Sequence, residues 1–225
     1  ELTAAHAAQY DGLCVLMPKV TRASLSGADK RVSIVARHGV GYDSIDVPAC
    51  TENGVILTIT PDGVRRPVAS SVVLFVLALS HKLFTKDMLT KSARWTETTN
   101  HMGEGLIGKT IGSIGVGNIG KEIFRLIKPW NMVHLAHDPY LKQSDVDDLG
   151  VKLVDKATLM HESDFLTVNC PLNNETRGIV GANEFKLMKK SAYLINTSRG
   201  PTVDEKAAYN ALKDGVIAGA ALDVF

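Results

Sequence analysis

The chain has 225 residues, 45% of them hydrophobic and 22% charged, with 25 basic and 24 acidic side chains and a formal charge of +1. This interspersed, near-neutral charge offers no basic stripe for nucleic acid and no polybasic patch for a membrane, and the length suits one large domain or two small ones. Three cysteines, Cys14, Cys50 and Cys170, stand far apart without CxxC spacing, which argues against a disulfide framework or a metal site and predicts a reducing, cytoplasmic compartment.

The opening Glu1-Leu2-Thr3 shows no charged region followed by an apolar core, so no signal peptide is expected. Leu13 to Met17, Val32 to Ala36 and Val55 to Thr58 read as strands, each separated from the next by enough chain for a helix. Thr60-Pro61-Asp62-Gly63 reads as a turn cluster, and a helix from about Arg66 to Leu83 follows, with Pro67 in its first turn. Apolar residues wrap its whole circumference, so it must be covered on all sides, either within the core or against a second subunit. Its longest apolar run, Val68 to Leu79, is broken by two serines and falls short of the roughly 20 residues of a bilayer span. Thr85 to Met102 is polar and is expected to form an irregular surface crossover. Further strands are predicted at Thr110 to Ile114, Met132 to Ala136, Phe165 to Val168, Tyr193 to Asn196 and Ile217 to Leu222. Asp155 is placed to cap a helix over Lys156 to His161, and Asp204 one over Glu205 to Asp214, with Gly215 as its stop. Strand–helix alternation of this kind predicts parallel sheets of the α/β class. The domains divide near residue 62: a smaller unit over 1–62 and a larger one over 63–225 that includes the long helix.

Two phosphate-loop patterns nearly overlap. Gly103 to Thr110 satisfies G-x-x-x-x-G-K-[ST], but polar residues precede it and a strand follows, the reverse of what a triphosphate loop requires. Gly115-Val116-Gly117-Asn118-Ile119-Gly120 has the context that G-x-G-x-x-G needs, a strand before it and a helix after. Gly115 allows a tight turn, Gly117 a close approach of pyrophosphate, and Gly120 close helix–strand packing, while the N–H groups at Asn118 and Ile119 face the phosphates. Asp138 lies 18 residues beyond Gly120, after the next strand. There it either accepts from both adenosine ribose hydroxyls, favouring NAD over NADP by repelling a 2′-phosphate, or is a turn residue before Pro139.

At this point the chain resembles the D-isomer-specific 2-hydroxyacid dehydrogenase family along nearly its whole length. The similarity is carried by Ala36 to Asp46, by Leu106 to Gly120 with Asp138-Pro139, by Ser163 to Phe165 with Cys170-Pro171-Leu172 and Glu175-Thr176, by Asn196 to Gly200, by Val203 to Glu205 and by Ala218 to Phe225. The resemblance implies a Rossmann-type doubly wound parallel sheet for 63–225, with an incomplete flavodoxin-like α/β substrate domain before it. It implies a homodimer formed through the helix near 66–83 and an activity that interconverts a D-2-hydroxy acid and its 2-keto acid by hydride transfer with NAD, in a cleft between domains.

Residue by residue, the family's pattern assigns Arg199 to the substrate carboxylate and keto oxygen, a task suited to a planar, always-charged guanidinium. The backbone N–H groups of Val40 and Gly41 hold the same carboxylate. Thr197, Ser198, Pro171 and Thr176 line the nicotinamide and ribose pocket, and Asp223 accepts from the carboxamide. Cys170 is either a contact in that pocket or an ordinary buried thiol. The sequence departs from the family at Pro67 to Ser70, where Val-Ala-Glu is usual, and at His137, where an aromatic is common. The positions of the family's catalytic Glu and His fall after Phe225, so the chain is expected to be truncated at both ends and to lack its acid–base pair. Two further readings stay open. One is a phosphoglycerate-dehydrogenase-like member using Arg65 and Arg66 for a phosphate; the other is an NAD-sensing binding protein of the corepressor kind.

Overall fold

A computed structural model describes residues 2–225. The chain divides into two compact units, up to Arg65 and from Arg66 onward. In the first unit the strands β1 (Gly12–Val15), β2 (Ile34–Arg37) and β3 (Ile56–Thr58) form a parallel sheet in that order. Helices α1 (Ala4–Gln9), α2 (Arg22–Leu25) and α3 (Val47–Glu52) accompany it. Val15, Leu25, Val32, Val35, Ile45, Ala49 and Val55 make its core. Asp46 caps α3 by accepting from the Ala49 N–H at 2.8 Å.

The helix α4 (Pro61–Ser80) starts inside the predicted turn cluster, because Pro61 fits a first helical turn, where its missing N–H costs nothing. With twenty residues it also exceeds the apolar run read from sequence, and by length and composition it is long enough to cross a bilayer. Its inner face is nevertheless core: Ala69, Val72 and Val76 pack with Ile111, Ile123 and Phe124. The expectation that the helix is covered on all sides is not met within this chain, since Leu74 is exposed. The stretch read as irregular is mostly helical, with α5 (Leu83–Lys91) and a 3-10 helix at Trp95–His101. Polarity there reflects surface position rather than missing structure.

The second unit is built on six parallel strands: β4 (Thr110–Ile114), β5 (Val133–His137), β6 (Val151–Leu153), β7 (Phe165–Val168), β8 (Tyr193–Asn196) and β9 (Gly219–Leu222). Only β6, three residues long, has no counterpart in the sequence reading. The order is β6-β5-β4-β7-β8-β9, the doubly wound arrangement in which strand order reverses beside the first strand. Every residue of β4 and of β7 is buried, as strands covered on both faces require. On one face lie α4 and α6 (Asn118–Ile127), and on the other α7 (Lys156–Glu162), α8 (Ala182–Leu187) and α9 (Glu205–Lys213), each face with its own core. Glu122, buried on α6, pairs with Arg66 of α4 at 2.5 Å and with Arg125 at 3.6 Å. Asp155 and Asp204 cap α7 and α9 through the N–H groups of Thr158 and Ala207.

Candidate active site

In a doubly wound sheet the ligand crevice opens at the carboxyl ends of the strands where the order reverses. Here that point lies between β4 and β7. The loop leaving β4 and the first turn of α6 carry the three glycines, and their surroundings differ. Gly115 has φ +87°, and a Cβ there would sit 2.9 Å from the Cys170 nitrogen and 3.1 Å from its Cα. Gly120 is equally constrained, since its Cβ would lie 2.8 Å from the Gly115 carbonyl oxygen. Gly117, by contrast, has an ordinary extended φ of −70° and nothing within 4 Å of a Cβ. Its bare face is open space, the room a pyrophosphate needs.

Among the described residues, the N–H groups of Gly117, Asn118, Ile119 and Gly120 take no acceptor. They stand at the start of the ten-residue α6, where the helix dipole adds positive potential. Asp138, after β5, is anchored to this loop: its Oδ2 accepts from the Val116 N–H at 2.9 Å and its Oδ1 from the Tyr140 N–H at 3.0 Å. This anchoring leaves each carboxylate oxygen a lone pair with which to accept a further hydrogen bond.

The loop after β7 closes the other side. Ser113 donates to the Gly115 carbonyl at 2.6 Å and accepts from Asn169 Nδ2 at 2.8 Å, tying the first loop to the second. Thr176 donates to the Pro171 carbonyl at 2.5 Å, while Asn173 Oδ1 accepts from the Glu175 and Thr176 N–H groups, both at 2.9 Å. Cys170 is buried, and burial pushes its thiol up to about 11, so it stays neutral near pH 7. That fits a wall residue rather than a nucleophile. Ser198 donates to the Cys170 carbonyl, which brings the loop after β8 to the same place.

Beside Ser198, Thr197 Oγ1 is buried with no hydrogen-bond partner. A buried hydroxyl left unpaired is costly, and this one fits a polar ligand group. Arg199 is half-buried and its Nη1 donates to the Ser198 carbonyl at 2.8 Å. Its backbone is held by Asn196 Nδ2 and by the Thr202 hydroxyl and N–H, all donating to the Arg199 carbonyl. Asp223, just beyond β9, is exposed and its N–H donates to the Asn196 carbonyl. The unit thus gathers Gly115, Gly117, Asn118, Ile119, Gly120, Asp138, Cys170, Pro171, Thr176, Thr197, Ser198, Arg199 and Asp223 on loops and the first turn of α6, at the carboxyl ends of its strands.

Val40 and Gly41 belong to the first unit, on the loop after β2. Their N–H groups meet no acceptor among the described residues. The loop is held by Arg37 Nε donating to the Gly41 carbonyl and by two bonds between Gly39 and Thr60. Arg65 and Arg66 are both paired, with Asp62 and Glu122 respectively. No site role is legible in the sequence for Ser113 or Asn169, and Asn196 stands there only as part of a signature. Their task is to fix loops: Asn196 holds its own loop at Ser198 and Arg199, whereas only the fold brings Asn169 to Ser113. No group of three or more His, Cys, Asp or Glu placed to hold a metal occurs among the described residues.

Comparison with known proteins agrees with this geometry. Residues 73–225 match the family described as D-isomer specific 2-hydroxyacid dehydrogenase, NAD binding domain. The chain is 37% identical over 217 residues to a D-3-phosphoglycerate dehydrogenase of Archaeoglobus fulgidus, covering 96% of this chain and 41% of that protein. It is 38% identical over 224 residues to a glyoxylate reductase of Thermococcus litoralis, covering 96% of this chain and 67% of that one. Among solved structures, a D-lactate dehydrogenase from Aquifex aeolicus, complexed with NAD and lactic acid, superposes with a TM-score of 0.90 at 28% identity, over 100% of this chain and 67% of its own. The chain therefore spans about two fifths of the first of these relatives and two thirds of the others.

Proposed function

The chain belongs to the D-isomer-specific 2-hydroxyacid dehydrogenase family, and from that premise we propose that it binds NAD at the β4–β7 switch point and takes part in interconverting a D-2-hydroxy acid and its 2-keto acid. The observation that carries the reading is the Gly115 to Gly120 loop, with its open approach at Gly117, its unpaired N–H groups and Asp138 locked beside it. NAD supplies the hydride chemistry when bound. The N–H groups at the start of α6 neutralise its phosphates, Asp138 accepts from its ribose hydroxyls and repels a 2′-phosphate, and the Thr197 hydroxyl gains the partner it lacks. Ser198, Pro171, Thr176 and Cys170 shape the wall of the nicotinamide pocket and keep water out, and Asp223 accepts from the carboxamide.

Arg199 binds the substrate carboxylate through paired donors and polarises the keto oxygen, so that negative charge growing on that oxygen is met by a fixed cation. On the first unit, the Val40 and Gly41 N–H groups, which take no acceptor there, are proposed as carboxylate donors in their own right. A phosphoglycerate-type substrate is a second reading, favoured by the similarity to the Archaeoglobus enzyme. The pairing of Arg65 and Arg66 with acids weakens the phosphate role considered for them. The protein is further proposed to work in the cytoplasm, consistent with three free thiols, and to form a homodimer through the exposed side of α4 around Leu74. Its partners are then a small acid and a second copy of itself.

Titration of NADH by fluorescence energy transfer, followed by turnover of a keto-acid panel with and without phosphate groups, tests the proposal. Saturable NADH binding that is much tighter than NADPH binding is expected. Absence of NADH binding overturns the reading.

A further inference from the structure

We propose that Tyr140 and Glu175 form a strap across the cofactor crevice, a pair of positioning residues that must part for the dinucleotide to enter and leave. The inference rests on the NAD reading above and extends it to cofactor exchange. Tyr140 lies on the loop after β5 and Glu175 on the loop after β7, 35 positions apart, and the Tyr140 hydroxyl donates to Glu175 Oε2 at 2.5 Å. In the sheet, β4 stands between β5 and β7. A bond joining the outer two loops therefore spans the loop that leaves the middle strand, where Gly117 has open space beside it.

Both ends of the strap are stiff. The Tyr140 N–H is held by Asp138 Oδ1 at 3.0 Å, and Asp138 in turn holds the Val116 N–H. Glu175 rides on the turn that Asn173 Oδ1 closes by accepting from the Glu175 and Thr176 N–H groups, with the Thr176 hydroxyl donating to the Pro171 carbonyl and accepting from the Asn173 N–H. Only the two side chains need to rotate for the crevice to open. Tyr140 is 76% exposed and Glu175 is also exposed, so the bond sits at the mouth and is not part of the core. The phenol is a donor here, because the adjacent carboxylate holds its proton on and raises its pKa above the ordinary tyrosine range. A charge-assisted bond between solvated side chains is modest in strength, which suits a closure that must break at every exchange.

Stopped-flow dissociation of NADH from the protein and from Y140F, E175A and the double variant tests the strap. Each single variant is expected to release NADH about fivefold faster, with unchanged thermal stability. The double variant is expected to match the singles, because one bond is lost in all three. Release rates within twofold of the unaltered protein, or a double variant in which the two effects multiply, overturn the strap while leaving the NAD site standing. If the unaltered protein does not bind NADH, the NAD reading itself fails, and that outcome is separate from the first.

Discussion

The three glycines of the β4–α6 loop give a prediction that separates backbone strain, packing and ligand space. At Gly115 an alanine meets two penalties. A non-glycine residue at φ +87° costs about 1 to 2 kcal/mol. Its methyl carbon would stand 2.9 Å, 3.1 Å and 3.2 Å from the Cys170 nitrogen, the Cys170 Cα and the Asn169 carbonyl carbon, all backbone atoms just after β7 that cannot swing aside. Overpacking of that kind costs about another 1 to 3 kcal/mol. Gly115→Ala should therefore lose about 2 to 5 kcal/mol and melt on the order of 10 °C lower. Gly108 is the control for strain alone, with φ +76° and nothing within 4 Å, so Gly108→Ala should lose only about 1 to 2 kcal/mol and bind NADH normally. Gly117 is the control for ligand space alone. With φ −70° and an empty surround, Gly117→Ala should unfold like the unaltered protein but bind NADH at least about tenfold more weakly, because the methyl occupies the phosphate's approach. Paired thermal melts and NADH titrations read both quantities. A Gly117→Ala variant with unchanged NADH affinity, or a Gly115→Ala variant as stable as the parent, would refute the reasoning.

Four further outcomes follow from the site. Thr197→Val removes a buried hydroxyl that has no partner, so the ligand-free protein should gain about 1 kcal/mol while NADH binding weakens; a loss of stability in denaturant melts would count against an orphaned hydroxyl. Asp138→Ala frees the Val116 N–H and removes the charge that repels a 2′-phosphate, so the ratio of NADH to NADPH affinity should fall at least about tenfold. Arg199→Lys should lower kcat/KM for a keto acid on the order of a hundredfold, since an ammonium lacks the paired planar donors, with NADH affinity little changed. The Cys170 thiol, raised by burial to about 11, binds its proton more tightly folded than unfolded. Its contribution is then fully present below about pH 9 and fades as pH rises from 9 towards 11, by about 2 to 3 kcal/mol in all. Cys170→Ala should flatten that alkaline limb in stability measurements.

Much of this molecule is legible in its sequence because the signals are local. Short, mostly apolar segments of four or five residues mark β4, β5, β7 and β8, and acidic caps stand one residue before α7 and α9. A glycine triplet between a strand and a helix is an equally local signal, although the fold alone shows what each glycine meets: Gly115 the backbone at Cys170, Gly120 the Gly115 carbonyl and Gly117 open space. Where local signals mislead, the tertiary structure shows why. Pro61 and Gly63 look like a turn but open a twenty-residue helix, whose formation is decided by the core that Ala69, Val72 and Val76 enter. The polar stretch before Met102 is helical on the surface, where polarity and helix do not conflict. β6, only three residues long, exists because β5 offers it an edge to pair with.

Partnerships over long separations were decided by the fold alone. Ser113 with Asn169, Arg66 with Glu122 and Tyr140 with Glu175 lie 56, 56 and 35 positions apart. No periodicity or spacing rule links such pairs, because their meeting depends on the order in which the six strands line up. The sequence by itself determined which residues are proposed to carry the chemistry; the strand order, set by burial on both faces of one sheet, decided which of them meet.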